Sequence, residues 1–154
     1  MKKYSFLLSG LALLMLGAGT VNAETITPGV ADGSQLIVKK DLNLTDGVLS
    51  PKTTFTFTIK GDNTATGTDK QDNLTVYAGK VDGMTKTEVT VDYTNQDKQA
   101  DKEKQAAFDF SSVQFEKVGV YRYVVTENKG AIPGITYSEQ EYTVDVYVLN
   151  DGDT

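Results

Sequence analysis

Apolar and polar residues alternate with period two along most of this chain, as they do in half-buried β-strands. No stretch after residue 23 carries the 3.6-residue period of a long amphipathic helix. Residues 35–42 put Leu36, Val38, Lys40 and Leu42 on one face, with Gln35, Ile37, Lys39 and Asp41 on the other. Residues 53–60 set Phe55, Phe57 and Ile59 against threonines. Short strands are predicted over 74–78 and over 87–94, where Val89, Val91 and Tyr93 alternate with Glu88, Thr90 and Asp92. Apolar residues return at Phe108 and Phe110. A strand over 120–127 follows, with Tyr121, Tyr123, Val125 and Glu127 on one face. Arg122 and Thr126 mark its other face as the solvent side, despite Val120 and Val124. The last strand, 136–149, aligns Tyr142, Val144, Val146 and Val148.

Between these runs lie turn signals. Residues 61–73 hold no apolar side chain larger than alanine and read as a surface loop. Residues 95–106 are charged and polar, a loop or one frayed helical turn. Asn150-Asp151-Gly152 is a tight-turn signal, because these residues tolerate left-handed dihedrals. Short strands with turn-rich connections and no intervening helices predict an all-β, antiparallel, immunoglobulin-like sandwich. The chain stops two residues past that last turn, so the expected sandwich is truncated before its final strand.

The N-terminus follows a different rule. Lys2 and Lys3 precede an apolar run over 6–16, and small residues lead to Val21-Asn22-Ala23. This is the pattern of a secretory signal: the apolar stretch falls short of the ~20 residues that a bilayer-spanning helix needs. Residues 1–23 are therefore set aside from the fold. The mature domain is expected to span 24–154, starting at Glu24, and to be exported to the cell exterior.

Composition narrows the chemistry further. Of 15 basic residues, Lys2 and Lys3 leave with the signal, so 13 face 21 acidic ones and the mature net charge is −8. Such a domain repels nucleic acid. The chain has no cysteine and no histidine. Ser-His-Asp and Cys-His hydrolases are thereby excluded, as are zinc sites built on those ligands. No metal or cofactor is expected. A carboxylate-based glycosidase remains formally possible, although the acidic residues lie mostly in turns and on polar strand faces.

Two residues break their patterns. Lys40 shares strand parity with Leu36, Val38 and Leu42, and lysine is almost never buried without a partner. Glu127 follows Tyr121, Tyr123 and Val125 on an inward face. Each alone fits a strand end turning out to water. Together they could instead form a buried ion pair, whose attraction must offset several kcal/mol of desolvation per ion.

The stretches GSQLIVKKDLNLTDGVLSPKTTFTFTIKG, FDFSSVQFEKVGVYRYVVTEN and IPGITYSEQEYTVDVYVLN resemble the N-terminal domain of streptococcal T-antigen-type major pilins, over essentially the whole mature chain. Tyr123-Val124-Val125-Thr126-Glu127, followed by Pro133-Gly134-Ile135-Thr136-Tyr137, is similar to the pilin E-box. The resemblance implies a CnaB-type sandwich that serves as the shaft subunit of a sortase-assembled, wall-anchored pilus. It also implies an intramolecular isopeptide bond, in which a first-strand lysine attacks a last-strand asparagine with the help of an E-box glutamate. Lys40 and Glu127 match those two positions. Apolar burial would favour the neutral amine and the neutral acid, by up to ~3–5 pKa units in fully buried groups. Such a reaction runs once per molecule, so no turnover enzyme is implied.

The asparagine of the family pattern falls beyond Thr154. None of Asn43, Asn63, Asn73, Asn95, Asn128 and Asn150 occupies a matching position. The implied partners are other pilin subunits, a sortase and, through a C-terminal region beyond Thr154, peptidoglycan, with host-surface contact as a further role. The alternative is an adhesin module of similar fold. A tip adhesin should display an exposed aromatic cluster, and here the aromatics alternate mostly as core residues.

Overall fold

The structure is a computed structural model that describes residues 2–7, 13–17, 21–27, 35–42, 47, 49–70, 73–98, 101–132, 135, 137, 139 and 141–150. Ten strands form: β1 (Lys2–Leu7), β2 (Leu13–Gly17), β3 (Val21–Thr27), β4 (Gln35–Asp41), β5 (Thr53–Gly61), β6 (Val76–Ala78), β7 (Glu88–Tyr93), β8 (Glu103–Asp109), β9 (Gly119–Glu127) and β10 (Glu141–Asn150). No α-helix occurs among the described residues. One sheet runs β1-β10-β9-β5-β7, with β6 joining β9 in parallel, and the other runs β2-β3-β4-β8. β1, β2 and the first half of β3 lie in the segment that the sequence marks as an export signal.

The sandwich closes because each strand turns its apolar parity inward. Leu36, Val38 and Leu42 from β4 and its end meet Phe108 of β8 on one side. They face Phe55, Phe57 and Ile59 of β5, Val91 and Tyr93 of β7, Tyr123 and Val125 of β9, and Val144, Val146 and Val148 of β10. All are buried. Each such side chain contributes roughly 1.5–3 kcal/mol relative to exposure, so a one-residue slip of any strand, which exchanges its two faces, is strongly disfavoured.

Two expectations need correction. The stretch 95–106 is not a loop throughout, because β8 begins at Glu103 and pairs with the whole of β4, from Gln35↔Asp109 to Asp41↔Glu103. β8 is an edge strand whose alternation is written in Glu103, Gln105 and Ala107 outward against half-buried Lys104 and Ala106. A polar edge strand therefore looks like a loop in sequence. The even face of β9 is also not simply the solvent side. Val120, Val76 and Tyr147 form a second small apolar cluster there, with Ala65 and Leu74 packed against it.

That cluster forms because the segment after β5 folds back over β9. The N–H groups of Asp62 and Gly79 both donate to the carbonyl of Arg122, at 2.9 and 2.7 Å. Gly61 passes so close to the carbonyl of Gly79 that no Cβ fits there. Further out, Thr68 bridges to Thr75, and Asn73 takes a φ of 58° at the turn. Arg122 reaches across to Asp145, its register partner on β10. Its Nε donates to Oδ1 at 2.8 Å and its Nη2 to Oδ2 at 3.0 Å. This hydrogen-bonded carboxylate raises the guanidinium pKa above its ordinary value.

The predicted turn at Asp151 and Gly152 lies outside the described residues, as do Asn43, Pro133, Gly134, Thr136 and the chain end.

Candidate functional site

Lys40 and Glu127 come from different sheets and meet in the core between them. β4 carries Lys40 on its inward parity, beyond Leu36 and Val38, and β9 carries Glu127 beyond Tyr123 and Val125. Both side chains have no solvent exposure, and Lys40 Nζ stands 3.4 Å from Glu127 Oε2. Neither strand end turns out to water. Lys39 sits half-buried on the opposite face, as the parity requires.

Several groups hold the two strand ends inward. Glu127 pairs in register with Phe57 of β5, and the next N–H, that of Asn128, donates to the Thr56 carbonyl at 2.8 Å. The Asn128 side chain points outward, 2.7 Å from the Thr58 hydroxyl, and donates through Nδ2 to Glu88 at 3.3 Å. It is therefore not aimed at Lys40. On the other side, the Leu42 N–H donates to the Lys102 carbonyl at 3.0 Å, which carries the β4–β8 pairing past Lys40.

Aromatic rings line the pair. Lys40 Nζ lies 3.9 Å from the centroid of Phe55. Phe55 packs edge-on against Tyr93 at 5.8 Å and tilted against Tyr137 at 5.7 Å. The Tyr93 hydroxyl lies 3.1 Å from the Lys40 carbonyl oxygen and also contacts the Lys102 carbonyl. The sequence places Phe55 and Tyr93 in the core by parity. Their position around Lys40 depends on how the two sheets stack, and local alternation carries no signal for that.

An amine beside a carboxyl group, both cut off from water, can act in two ways. As ions they form a pair whose attraction is offset by desolvation. As neutral groups they supply a nucleophilic amine and an adjacent proton donor and acceptor. Among the described residues, no group of three or more side chains is arranged to hold a metal ion.

Comparison with known proteins adds a family. Residues 36–154 match the profile described as Spy0128-like isopeptide containing domain (FctA). A pilin of Streptococcus pyogenes serotype M1 is 42% identical over 151 residues, covering 97% of this chain and 41% of that protein. Among solved structures, the S. pyogenes major pilin T-13 is 43% identical with a TM-score of 0.69, over 79% of this chain and 43% of that one. The major pilin T3.2 is 38% identical with a TM-score of 0.68, over 79% and 48%. The chain thus spans less than half the length of these relatives.

Proposed function

Because the chain belongs to the Spy0128-like isopeptide containing domain family, we propose that it is the N-terminal domain of a pilus shaft subunit. In this reading it is exported with cleavage after Ala23, joined to other copies by a sortase and tethered to peptidoglycan through the region beyond Thr154. Its Lys40 forms an isopeptide bond with an asparagine from that region. The observation that carries the reading is the wholly buried 3.4 Å approach of Lys40 Nζ to Glu127 among aromatic rings.

The chemistry follows from burial. Desolvation disfavours both charged forms, so a proton moves from the ammonium to the carboxylate and leaves a free amine beside a neutral acid. The amine nitrogen attacks the carboxamide carbon, and Glu127 donates to the amide oxygen. The C–N bond to the carboxamide nitrogen then breaks, Glu127 relays the proton that Lys40 sheds, and ammonia leaves. One amide forms, one amide is lost, and the protein is not regenerated, so the event is a single self-cross-linking. It ties β4 to a strand far along the chain, as a disulfide would. By that analogy it stabilises by roughly 4–5 kcal/mol.

A shaft role is further supported by surface composition. Among the described residues, the exposed large hydrophobic side chains are Leu49 and Ile132, neither of them aromatic, and no aromatic platform of the kind a tip adhesin presents stands out.

Intact-mass measurement of the full-length mature protein tests the reading. One ammonia should be missing from the wild type and restored in Lys40→Ala and in Glu127→Ala, whereas Lys39→Ala should still lack it. A wild-type mass with nothing missing, or a loss that survives in Glu127→Ala, would sink the proposal.

A further inference from the structure

Lys40 stands one residue from the end of β4, where a strand normally frays and a lysine follows it into water. What holds this end in place is a side chain from the opposite sheet. Tyr93, the last residue of β7 and 1% exposed, brings its hydroxyl to 3.1 Å from the Lys40 carbonyl oxygen and into contact with the Lys102 carbonyl. The same Lys102 carbonyl accepts the Leu42 N–H at 3.0 Å. One phenol thus sits where β4 and the start of β8 begin to separate, and fixes both.

The Tyr93 ring has a second contact with the site. It stands at 88° to Phe55, the ring whose centroid lies 3.9 Å from Lys40 Nζ. One face of the ring is capped by Lys104, whose Nζ lies 4.9 Å from the ring centroid and donates to Asp92 O at 2.7 Å and Asp97 Oδ2 at 2.9 Å. Tyr93 is therefore held on one face, fixes the main chain of Lys40 with its hydroxyl and packs perpendicular to the ring beneath the amine.

We propose that Tyr93 is the positioning residue of the cross-linking reaction. It touches none of the reacting atoms and acts by presetting the height and direction of Lys40 toward Glu127 before the bond forms. This rests on the isopeptide reading above. Neither period-two alternation nor the E-box pattern singles it out. The physical ground is that a near-attack geometry must be held closely for an amine to add to a carboxamide, and small misplacements slow such reactions steeply.

The test follows closure over time. Full-length mature protein is made by cell-free synthesis, sampled at intervals and weighed intact, with the fraction lacking one ammonia giving the rate. Tyr93→Phe keeps the ring and removes the hydroxyl. It should close about fivefold more slowly, the kinetic equivalent of one lost neutral hydrogen bond. The midpoint of its pH–rate profile should be unchanged, because the nucleophile and the acid are intact. Thr90→Ala, on the exposed face of the same strand, should close at the wild-type rate.

A purely structural role is separated by placing Tyr93→Phe in a Glu127→Ala background, where no bond forms, and measuring thermal unfolding. A slowed closure with no more than the few-degree fall in unfolding temperature that one lost hydrogen bond brings supports positioning. Closure of Tyr93→Phe at the wild-type rate overturns it, as does slowing matched by a large loss of unfolding temperature in that background. A wild type that never loses ammonia removes the isopeptide reading and this inference together. Normal wild-type closure with an unaffected Tyr93→Phe removes only this inference.

Discussion

Lys40 and Glu127 lie 87 residues apart in the chain and 3.4 Å apart in the core, each brought there by the parity of its own strand. Both are buried, each with the other as a polar neighbour. In the chain ending at Thr154, Glu127→Ala takes the acid partner from a buried amine and should cost about 1–3 kcal/mol. The double replacement Lys40→Met with Glu127→Leu should cost far less, because it removes both buried polar groups and keeps the volume. Denaturant unfolding of the single and double variants measures the difference. A double variant as unstable as Glu127→Ala would refute the buried-pair account.

Arg122 and Asp145 make a second asymmetric pair. Asp145 is 1% exposed at its side chain, while Arg122 retains 31% and can reach water. Arg122→Ala therefore takes two charge-assisted hydrogen bonds from a buried carboxylate, whereas Asp145→Ala releases a guanidinium that can resolvate. We expect Arg122→Ala to destabilise by about 2–3 kcal/mol, and Asp145→Ala by about half as much. Equal losses in thermal or denaturant unfolding would mean that the two ends of the pair share one environment.

Alkaline stability should depend on Tyr123. Burial pushes its phenol well above the ordinary value of 10.0, and its hydroxyl donates to the Lys80 carbonyl at 2.6 Å. The folded state thus favours the protonated phenol. That contribution is fully present below pH 10 and is lost as the pH rises toward the folded-state pKa, because the unfolded chain ionises first. Tyr123→Phe should be less stable at pH 7 by about 1 kcal/mol, yet lose less on going from pH 9 to pH 11. Parallel alkaline slopes for the two proteins would contradict this.

Export makes a prediction of its own. N-terminal sequencing of secreted material should begin at Glu24, after the small-x-small site that ends in Ala23. Retention of Met1, or a start well inside 30–40, would remove the signal assignment.

The inward parity of Lys40 and Glu127 was legible because β4 and β9 are regular enough that one misplaced charge stands out against three apolar neighbours. The sandwich was legible for the same reason at Phe55, Phe57, Val89, Val91, Val144 and Val146. Other features depend on partners distant in the chain and leave no local trace. β8 escaped notice at its start because an edge strand tolerates Glu103, Lys104 and Gln105 on a ladder that the full length of β4 enforces. Val120 is buried beside Tyr147 of β10 and under Leu74, Val76 and Ala65, which arrive over it from another part of the chain. The Tyr93–Lys40 contact depends on the stacking of two sheets, a geometry that the period of neither strand encodes.

The segment from Asp62 to Gly79, which carries β6, is tied at both ends to one atom, the carbonyl oxygen of Arg122, which accepts from Asp62 at its outset and from Gly79 just past β6. A lasso knotted at its neck transmits little of what happens around its circumference. Lengthening the segment between Asp62 and β6 changes a closure entropy that grows by only about 0.6 kcal/mol per doubling, and both hydrogen bonds to Arg122 stay in place. Exposed side chains such as Asn63, Thr64, Thr66 and Thr68 can be exchanged there while β9, and Glu127 at its end, keep their register. The molecule can thus present a new outer face to its surroundings without disturbing the chemistry in its interior.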